Sequence, residues 1–387
     1  MVEKLTWVEI DTRAIRHNLK ELKRLAKKCR FFIPTRDEFT QTIFNTADIL
    51  AVIKADAYGH GMVEVARLLE EQGINFFAVS DINEGIVLRE AGFKKSILLL
   101  ETTLPSHVQY ISKYQLTPTV CNFELAQALN RYAEETGERV NVHVKVDTGM
   151  GRLGVWYTQA FEFIKKLADL RFLTIEGIYT HFPSADTDKK FTRRQLKYLY
   201  ELVKRLDKEA LIIPYIHASN SMGFAGYETH ILNLVRPGLM IYGLYPSKHL
   251  KRKIKLKPAL SVHSKIIFLK KIQKGRSISY GRTFVAKKNM TAATVPIGYS
   301  DGYPRALSNK ASVIVKGKLC PVLGRVTMDQ IVVDVSKVEN PTLEMPVVIL
   351  GRQKNKSITA DDLAKSAQTI NYEIVCGLGN RLPRVYK

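Results

Sequence analysis

Between residues 49 and 243 the chain repeats one unit: a short run of β-branched and apolar residues, then a longer stretch whose apolar residues recur three and four apart. Such runs suit strands that helices cover on both sides of a parallel sheet, and the three-to-four spacing gives each helix one apolar face to pack against it. The runs fall at 49–55, 76–80, 97–101, 117–121, 140–147, 174–181, 215–219 and 234–242. Stretches such as VEVARLLEEQG, FELAQALNRYAEETG and RRQLKYLYELVKRLDKEA separate them. Eight β-then-α units predict an α/β fold, a (β/α)8 barrel whose reactive groups belong at the C-terminal ends of its strands.

After about residue 250 the helical spacing stops. SVHSKIIFL, TAATVPIGY, ASVIVKG, QIVVDVS and PVVILG read as strands between Gly, Pro and Lys turns, which predicts a second, mainly β domain. The expected division is a barrel over 12–247 and a β domain built from 248–387 together with 1–11. The opening segment TWVEIDTRAIRHNLKELKRL reads as a strand, a capped turn at Asp11 and Thr12, and a helix. A polar and aromatic insert over 30–47, containing Pro34, separates that helix from the first barrel strand.

With 387 residues, 45% of them hydrophobic, the chain is long enough to bury two cores. An acidic Glu3, no signal-peptide-like apolar run and no segment near about 18 continuous apolar residues point to a cytoplasmic protein with no membrane partner. Cys29, Cys121, Cys320 and Cys376 are scattered without metal-like spacing, so neither a disulfide framework nor a metal site is expected. The balance of 59 Lys plus Arg against 37 Asp plus Glu raises nucleic acid as a partner. The basic runs at 248–257 and 268–276 alternate with apolar residues, and no nucleic-acid-binding motif accompanies them, which favours solvated faces. A positive field of this size would also attract anionic ligands.

The polar residues that follow the apolar runs form a set. The first run leads into Lys54, the fifth into Lys145 and Arg152, the sixth into His181, the seventh into Ser219, Asn220 and Ser221, and the eighth into Arg236 and Gly238. A lysine at an apolar strand end is costly to keep charged, and its neutral amine is able to form a Schiff base; the alternative is a lysine that snorkels to solvent. The small and hydroxyl residues after the seventh and eighth runs match the place where such barrels bind phosphate, or else are ordinary turn residues. Arg152 and Arg236 suit a carboxylate, a phenolate oxygen or a ring nitrogen, or a surface ion pair. His181 is a base, an orienting group or a structural histidine.

Read as motifs, these segments resemble the alanine racemase family. AVIKADAYGHG (51–61) is similar to that family's pyridoxal-phosphate lysine motif. VDTGMGRLG (146–154), THFPSAD (180–186), the Ser-Asn-Ser turn with VRPGLMIYG (235–243), SISYGRTF (277–284), PIGYSDGYPR (296–305), GRVTMDQ (324–330) and TINYEIVCG (369–377) follow in order. The likeness spans nearly the whole chain.

The resemblance implies pyridoxal 5'-phosphate carried on Lys54. It places Tyr58, Asn220, Ser221, Gly238 and Leu239 at the phosphate, Arg236 at the pyridine nitrogen, and Arg152 at the phenolic oxygen and the substrate carboxylate. Tyr280 would be the second base, donated across a homodimer and linked by His181 towards Arg236. Tyr299, Met328 and Asp329 would line the substrate pocket, and Lys145 matches a lysine that is carbamylated in some relatives. The activity implied is the interconversion of L- and D-alanine, which supplies D-alanine for peptidoglycan. Two departures stand out: Asn380 occupies the place of a phosphate-contacting tyrosine, and Thr327 that of a cysteine, in some relatives. Rival readings are a racemase of another amino acid and, on related barrels, a non-catalytic cofactor carrier or a decarboxylase. Tyr280 argues against the carrier, and the decarboxylase's substrate-binding cysteine motif is not evident.

Overall fold

A computed structural model describes residues 4–27, 47–227 and 232–387. Cys29 and all but Ala47 of the insert at 30–47 lie outside the described residues. The chain divides into two compact units, one of Arg16–Ala57 and Met62–Lys257, the other of Met1–Ile15, Tyr58–Gly61 and Pro258–Lys387.

In the first unit, eight strands run parallel in chain order: Asp48–Val52, Phe76–Val79, Ser96–Thr102, Thr117–Val120, Val140–Asp147, Leu173–Tyr179, Tyr215–His217 and Leu234–Val235. The eighth pairs in parallel with the first, Leu234 opposite Asp48. Beyond the seventh strand, Asn220 bridges Arg236 in parallel, which brings the eighth strand's end against the seventh. The eight sequence runs thus become eight strands, but the last is shorter than expected. From Arg236 the backbone turns instead, and tight bonds such as Ile241 N to Gly238 O (2.8 Å) carry it round. Pro237 has no N–H to continue a ladder there.

Helix starts follow from side chains. Asp81, Asn122 and Asp188 each accept a hydrogen bond from the backbone N–H three residues on, at Glu84, Leu125 and Phe191. Each occupies an N-cap and satisfies one of the orphan donors of a helix's first turn.

The barrel interior is layered by contacts between strands that are not neighbours. Thr119 Oγ1 on the fourth strand lies 2.7 Å from the Tyr179 hydroxyl on the sixth. His143 Nδ1 on the fifth lies 2.8 Å from His217 Nε2 on the seventh. Side chains separated by an intervening strand meet only inside the barrel, so the polar set of the fifth strand, His143, Lys145 and Asp147, faces inward. Gly177 makes room for this layer: a Cβ there would lie 2.5 Å from the His143 ring.

In the second unit the N-terminal strand Trp7–Ile10 pairs antiparallel with Leu260–Lys265 and parallel with Arg384–Tyr386. The same sheet continues through Pro346–Gln353, Ser312–Val315 and Lys318–Pro321. A separate three-stranded sheet joins Phe268–Ile272, Met290–Val295 and Ile331–Asp334. Lys270 and Lys271 are exposed on its edge strand. Two helices, Ala360–Ala367 and Asn371–Cys376, follow the last of the expected strand runs in this mainly β unit. The first begins at a capping box, with Thr359 and Asp362 each bonding the other's backbone N–H. Among the described residues no helix is long and apolar enough to cross a membrane.

Gly177→Ala is expected to lower stability by about 1–3 kcal/mol by pressing a methyl group into the His143 ring. Urea unfolding monitored by circular dichroism reads this directly, and an unchanged midpoint would show that the layer yields at little cost.

Candidate active site

Lys54 lies two residues past the last residue of the first strand and opens a short helix, Lys54–Gly59. In that helix Ala55, Asp56, Ala57 and Tyr58 have φ of 52, 53, 54 and 55°, so the turn is left-handed. Each such non-glycine residue costs roughly 1–2 kcal/mol, a strain that surrounding bonds must hold. Glu84 accepts from Ala55 N at 2.7 Å and from Ser80 N at 2.6 Å, and Asp56 Oδ1 accepts from Met62 N at 2.7 Å. Burial raises the Glu84 carboxyl above its ordinary range, with Lys54 among the groups pulling it back.

Arg236 is 3% exposed, and its Nη atoms lie within hydrogen-bond distance of four acceptors. Nη1 reaches His217 Nδ1 at 2.8 Å, and Nη2 reaches Thr180 O at 2.8 Å, Ala218 O at 3.0 Å and His181 Nδ1 at 3.3 Å. Burial lowers its pKa to about 10, which leaves it charged at neutral pH. Tyr179 lies beneath two cations, its ring centre 4.2 Å from Lys145 Nζ and 5.1 Å from the Arg236 guanidinium. Lys145 is pushed down to about 7, first by burial and then by Arg236 and Arg152. His181 is driven well below its ordinary value by desolvation, and then by Arg236, Lys145, Arg152 and Lys54. The cations expected from the ends of the first, fifth and eighth strands therefore act on one imidazole.

Asp147 shapes the approach of Arg152. Its Oδ1 accepts from Gly149 N (2.7 Å) and Met150 N (2.9 Å), and its Oδ2 from Gly151 N (2.8 Å), so the loop that carries Arg152 folds around one carboxylate. On the other side, Ser221 Oγ accepts from Gly238 N at 3.1 Å. Asn220 caps Ser221–Gly226 through Gly223 N at 2.9 Å, and Leu239 is buried beside Gly238. The Ser219 hydroxyl is buried with no hydrogen-bond partner among the described residues. Fixed cations with small, hydroxyl-bearing turns form a donor set that fits an anionic, phosphorylated aromatic cofactor.

The second unit holds the remaining candidates. Tyr58 packs against Tyr372, ring centres 6.1 Å apart, and desolvation pushes its phenol above its ordinary range. Tyr299 N donates to Thr327 O and Ser300 N to Met328 O, at 3.1 and 3.0 Å, so Tyr299, Met328 and Asp329 lie together. This crossing is close enough that a Cβ on Gly298 would lie 2.1 Å from Met328 O. Arg381 ties the two segments, donating to Asp329 Oδ1 at 2.9 Å and lying 3.5 Å from Asp301. Tyr280 stands on a separate 3-10 turn, Tyr280–Arg282, and is 72% exposed. Asn380 is the residue before Arg381.

Reasoning from sequence missed His217, His143, Tyr179, Glu84 and Arg381. The two histidines and the tyrosine carried a signal: they interrupt or end apolar runs that a barrel buries. Glu84 and Arg381 carried none, being ordinary surface residues until the chain folds.

Two family models match the chain, the alanine racemase N-terminal domain over residues 37–246 and the alanine racemase C-terminal domain over residues 259–386. Alanine racemase from Halothermothrix orenii is 42% identical over 383 residues, which cover 99% of this chain and 97% of the relative. The structure of alanine racemase from Clostridium difficile 630 matches with a TM-score of 0.89 and 37% identity, covering 100% of this chain and 97% of that one. Histidine racemase from Leuconostoc mesenteroides subsp. sake matches with a TM-score of 0.87 and 26% identity, over 100% of this chain and 99% of that one. With both family models matched and a relative 42% identical over 99% of its length, this chain belongs to the alanine racemase family.

Proposed function

We propose that the protein interconverts L- and D-alanine with pyridoxal 5'-phosphate and two opposed bases, as a cytoplasmic homodimer that supplies D-alanine for peptidoglycan precursors. The observation that carries this reading is the buried Arg236, bonded to His181 and His217 and sharing the Tyr179 ring with Lys145, beside the turn in which Ser221 Oγ accepts from Gly238 N. Joined to Lys54, the cofactor supplies the electron sink that acidifies the substrate Cα–H.

The chain's own residues divide the remaining work. Tyr58, Asn220, Ser221, Gly238 and Leu239 form the phosphate corner. Arg152 would bind the phenolic oxygen and the substrate carboxylate, and Tyr299, the Met328 N–H and Asp329 are the remaining substrate-binding candidates. Arg236 would hold the ring nitrogen, since a guanidinium donates a hydrogen bond without surrendering its proton. That would limit electron withdrawal into the ring and favour racemisation over transamination.

Inverting Cα requires a proton to leave one face and return to the other. Lys54, which would hold the cofactor, would offer its amine to one face of Cα, and Tyr280 of the partner subunit would serve the other. The exposure of Tyr280 on its own protomer fits a residue that acts in a second one. His181 accepts from Arg236 at Nδ1, which leaves its ring proton on Nε2 to steady a phenolate. Lys145, with its pKa near 7, has a neutral amine available for carbon dioxide. The amine nitrogen bonds the carbon of CO2 and one proton leaves to solvent, so the resulting carbamate is an anion that orients Arg152.

A racemase of another amino acid is the second reading, favoured by the likeness to a histidine racemase. Chiral chromatography of the cofactor-loaded protein with a panel of single L-amino acids separates the two. Alanine should turn over fastest, and faster turnover of any other residue selects the second reading.

Lys54→Ala should abolish the absorbance band of lysine-bound cofactor, while Tyr280→Phe should keep that band and lose roughly 10²–10⁴ of the racemisation rate. Full activity in Tyr280→Phe would remove Tyr280 as a base. Mixing the two inactive variants should restore activity, because one site in each hybrid dimer has both bases; failure with subunit exchange verified would refute a shared site. In ¹³C-bicarbonate, a carbamate carbon resonance should appear in wild type, grow above pH 7 at fixed dissolved CO2, and be missing from Lys145→Ala. Identical spectra from the two proteins would dispose of the modification.

A further inference from the structure

A file of polar groups crosses the barrel interior beneath Arg236. Nη1 of Arg236 lies 2.8 Å from His217 Nδ1, His217 Nε2 lies 2.8 Å from His143 Nδ1, and His143 Nε2 lies 3.4 Å from the Glu176 carboxylate. The imidazoles are 0% and 2% exposed. A guanidinium only donates, so His217 Nδ1 must be a bare acceptor. His217 then carries its proton on Nε2 and donates it to His143 Nδ1. His143 in turn carries its proton on Nε2, facing Glu176. Only this tautomer pair satisfies every contact, and a proton added to His217 would set N–H against N–H. Burial lowers the pKa of both histidines, although Glu176 pulls His143 upward. The cation stands at one end of the file and the anion at the other, so each hydrogen bond is aligned with the field between them. Stacking holds the file in place: Tyr179 lies parallel to His217 with ring centres 4.6 Å apart, and Tyr215 stacks on His143 at 6.4 Å.

We propose that Glu176 and His143 are positioning residues for Arg236, locking His217 in the one tautomer that lets the guanidinium keep its place and charge. This rests on the reading of Arg236 as the group that faces the cofactor ring. The test uses cofactor-loaded enzyme labelled with ¹⁵N-histidine, in which long-range ¹H–¹⁵N correlations report tautomers, assigned with His143→Gln. In wild type both imidazoles should carry their proton on Nε2 alone. Glu176→Leu, lacking the terminal acceptor, should lose the single tautomer at His143 and reduce kcat about tenfold with little change in KM. Glu176→Gln keeps a carbonyl acceptor and should recover most of kcat. A wild-type His217 protonated on Nδ1 would overturn the proposal, as would a Glu176→Leu enzyme with tautomers and kcat like wild type. Should the leucine variant fail to fold, the wild-type tautomers and the glutamine variant still decide. The tautomers are read without turnover: a wild type that racemises no amino acid yet has both protons on Nε2 refutes the proposed function alone.

Discussion

A guanidinium that is 3% exposed governs the barrel's interior chemistry. Taking such a charge out of water is unfavourable unless its donors find partners, and both Nη atoms of Arg236 find them, in two carbonyls and two imidazoles. Those acceptors come from the ends of the sixth and seventh strands, while Arg236 follows the eighth. The charge is therefore stabilised only when the three strands have closed side by side. The site is complete only in the closed barrel.

The same cation accounts for its neighbours. Lys145 and His181 lose affinity for protons because Arg236 and Arg152 add repulsion to burial. Tyr179 offers the face of its ring to both Lys145 and Arg236, while its hydroxyl is held by Thr119. The outcome is a region rich in basic groups, with imidazoles of lowered proton affinity between them, which suits an anionic ligand. The overall excess of basic residues is a separate matter, spread over exposed strands and helices such as Lys189–Lys208.

The left-handed turn at Lys54–Gly59 shows how strain is confined to chemistry. Four non-glycine residues in a disfavoured conformation follow directly on Lys54. The clamps that hold the turn, Glu84 and Asp56, bond backbone N–H groups. A relaxed right-handed turn would aim these residues differently, so the placement of the amine depends on a carboxylate from the helix after the second strand.

Much was legible in the residues themselves. Period and punctuation determined eight β-then-α units and a following β region, because strand and helix demand different spacings of apolar side chains. Motif order marked Lys54, Lys145, Arg152, His181, Ser221 and Arg236, which mostly follow strands and so must gather at one end of a barrel. Local sequence could not shorten the eighth strand at Arg236, since apolar residues continue to Tyr242. Nor could it separate the C-terminal helices from strands over segments so short. The handedness of the turn after Lys54 and the roles of Glu84 and Arg381 depend on partners distant in sequence. The tautomers of His217 and His143 were decided only by tertiary structure: alternation in VNVHVKVD suggests a half-exposed strand, and only closing the barrel turns its polar face inward onto His217.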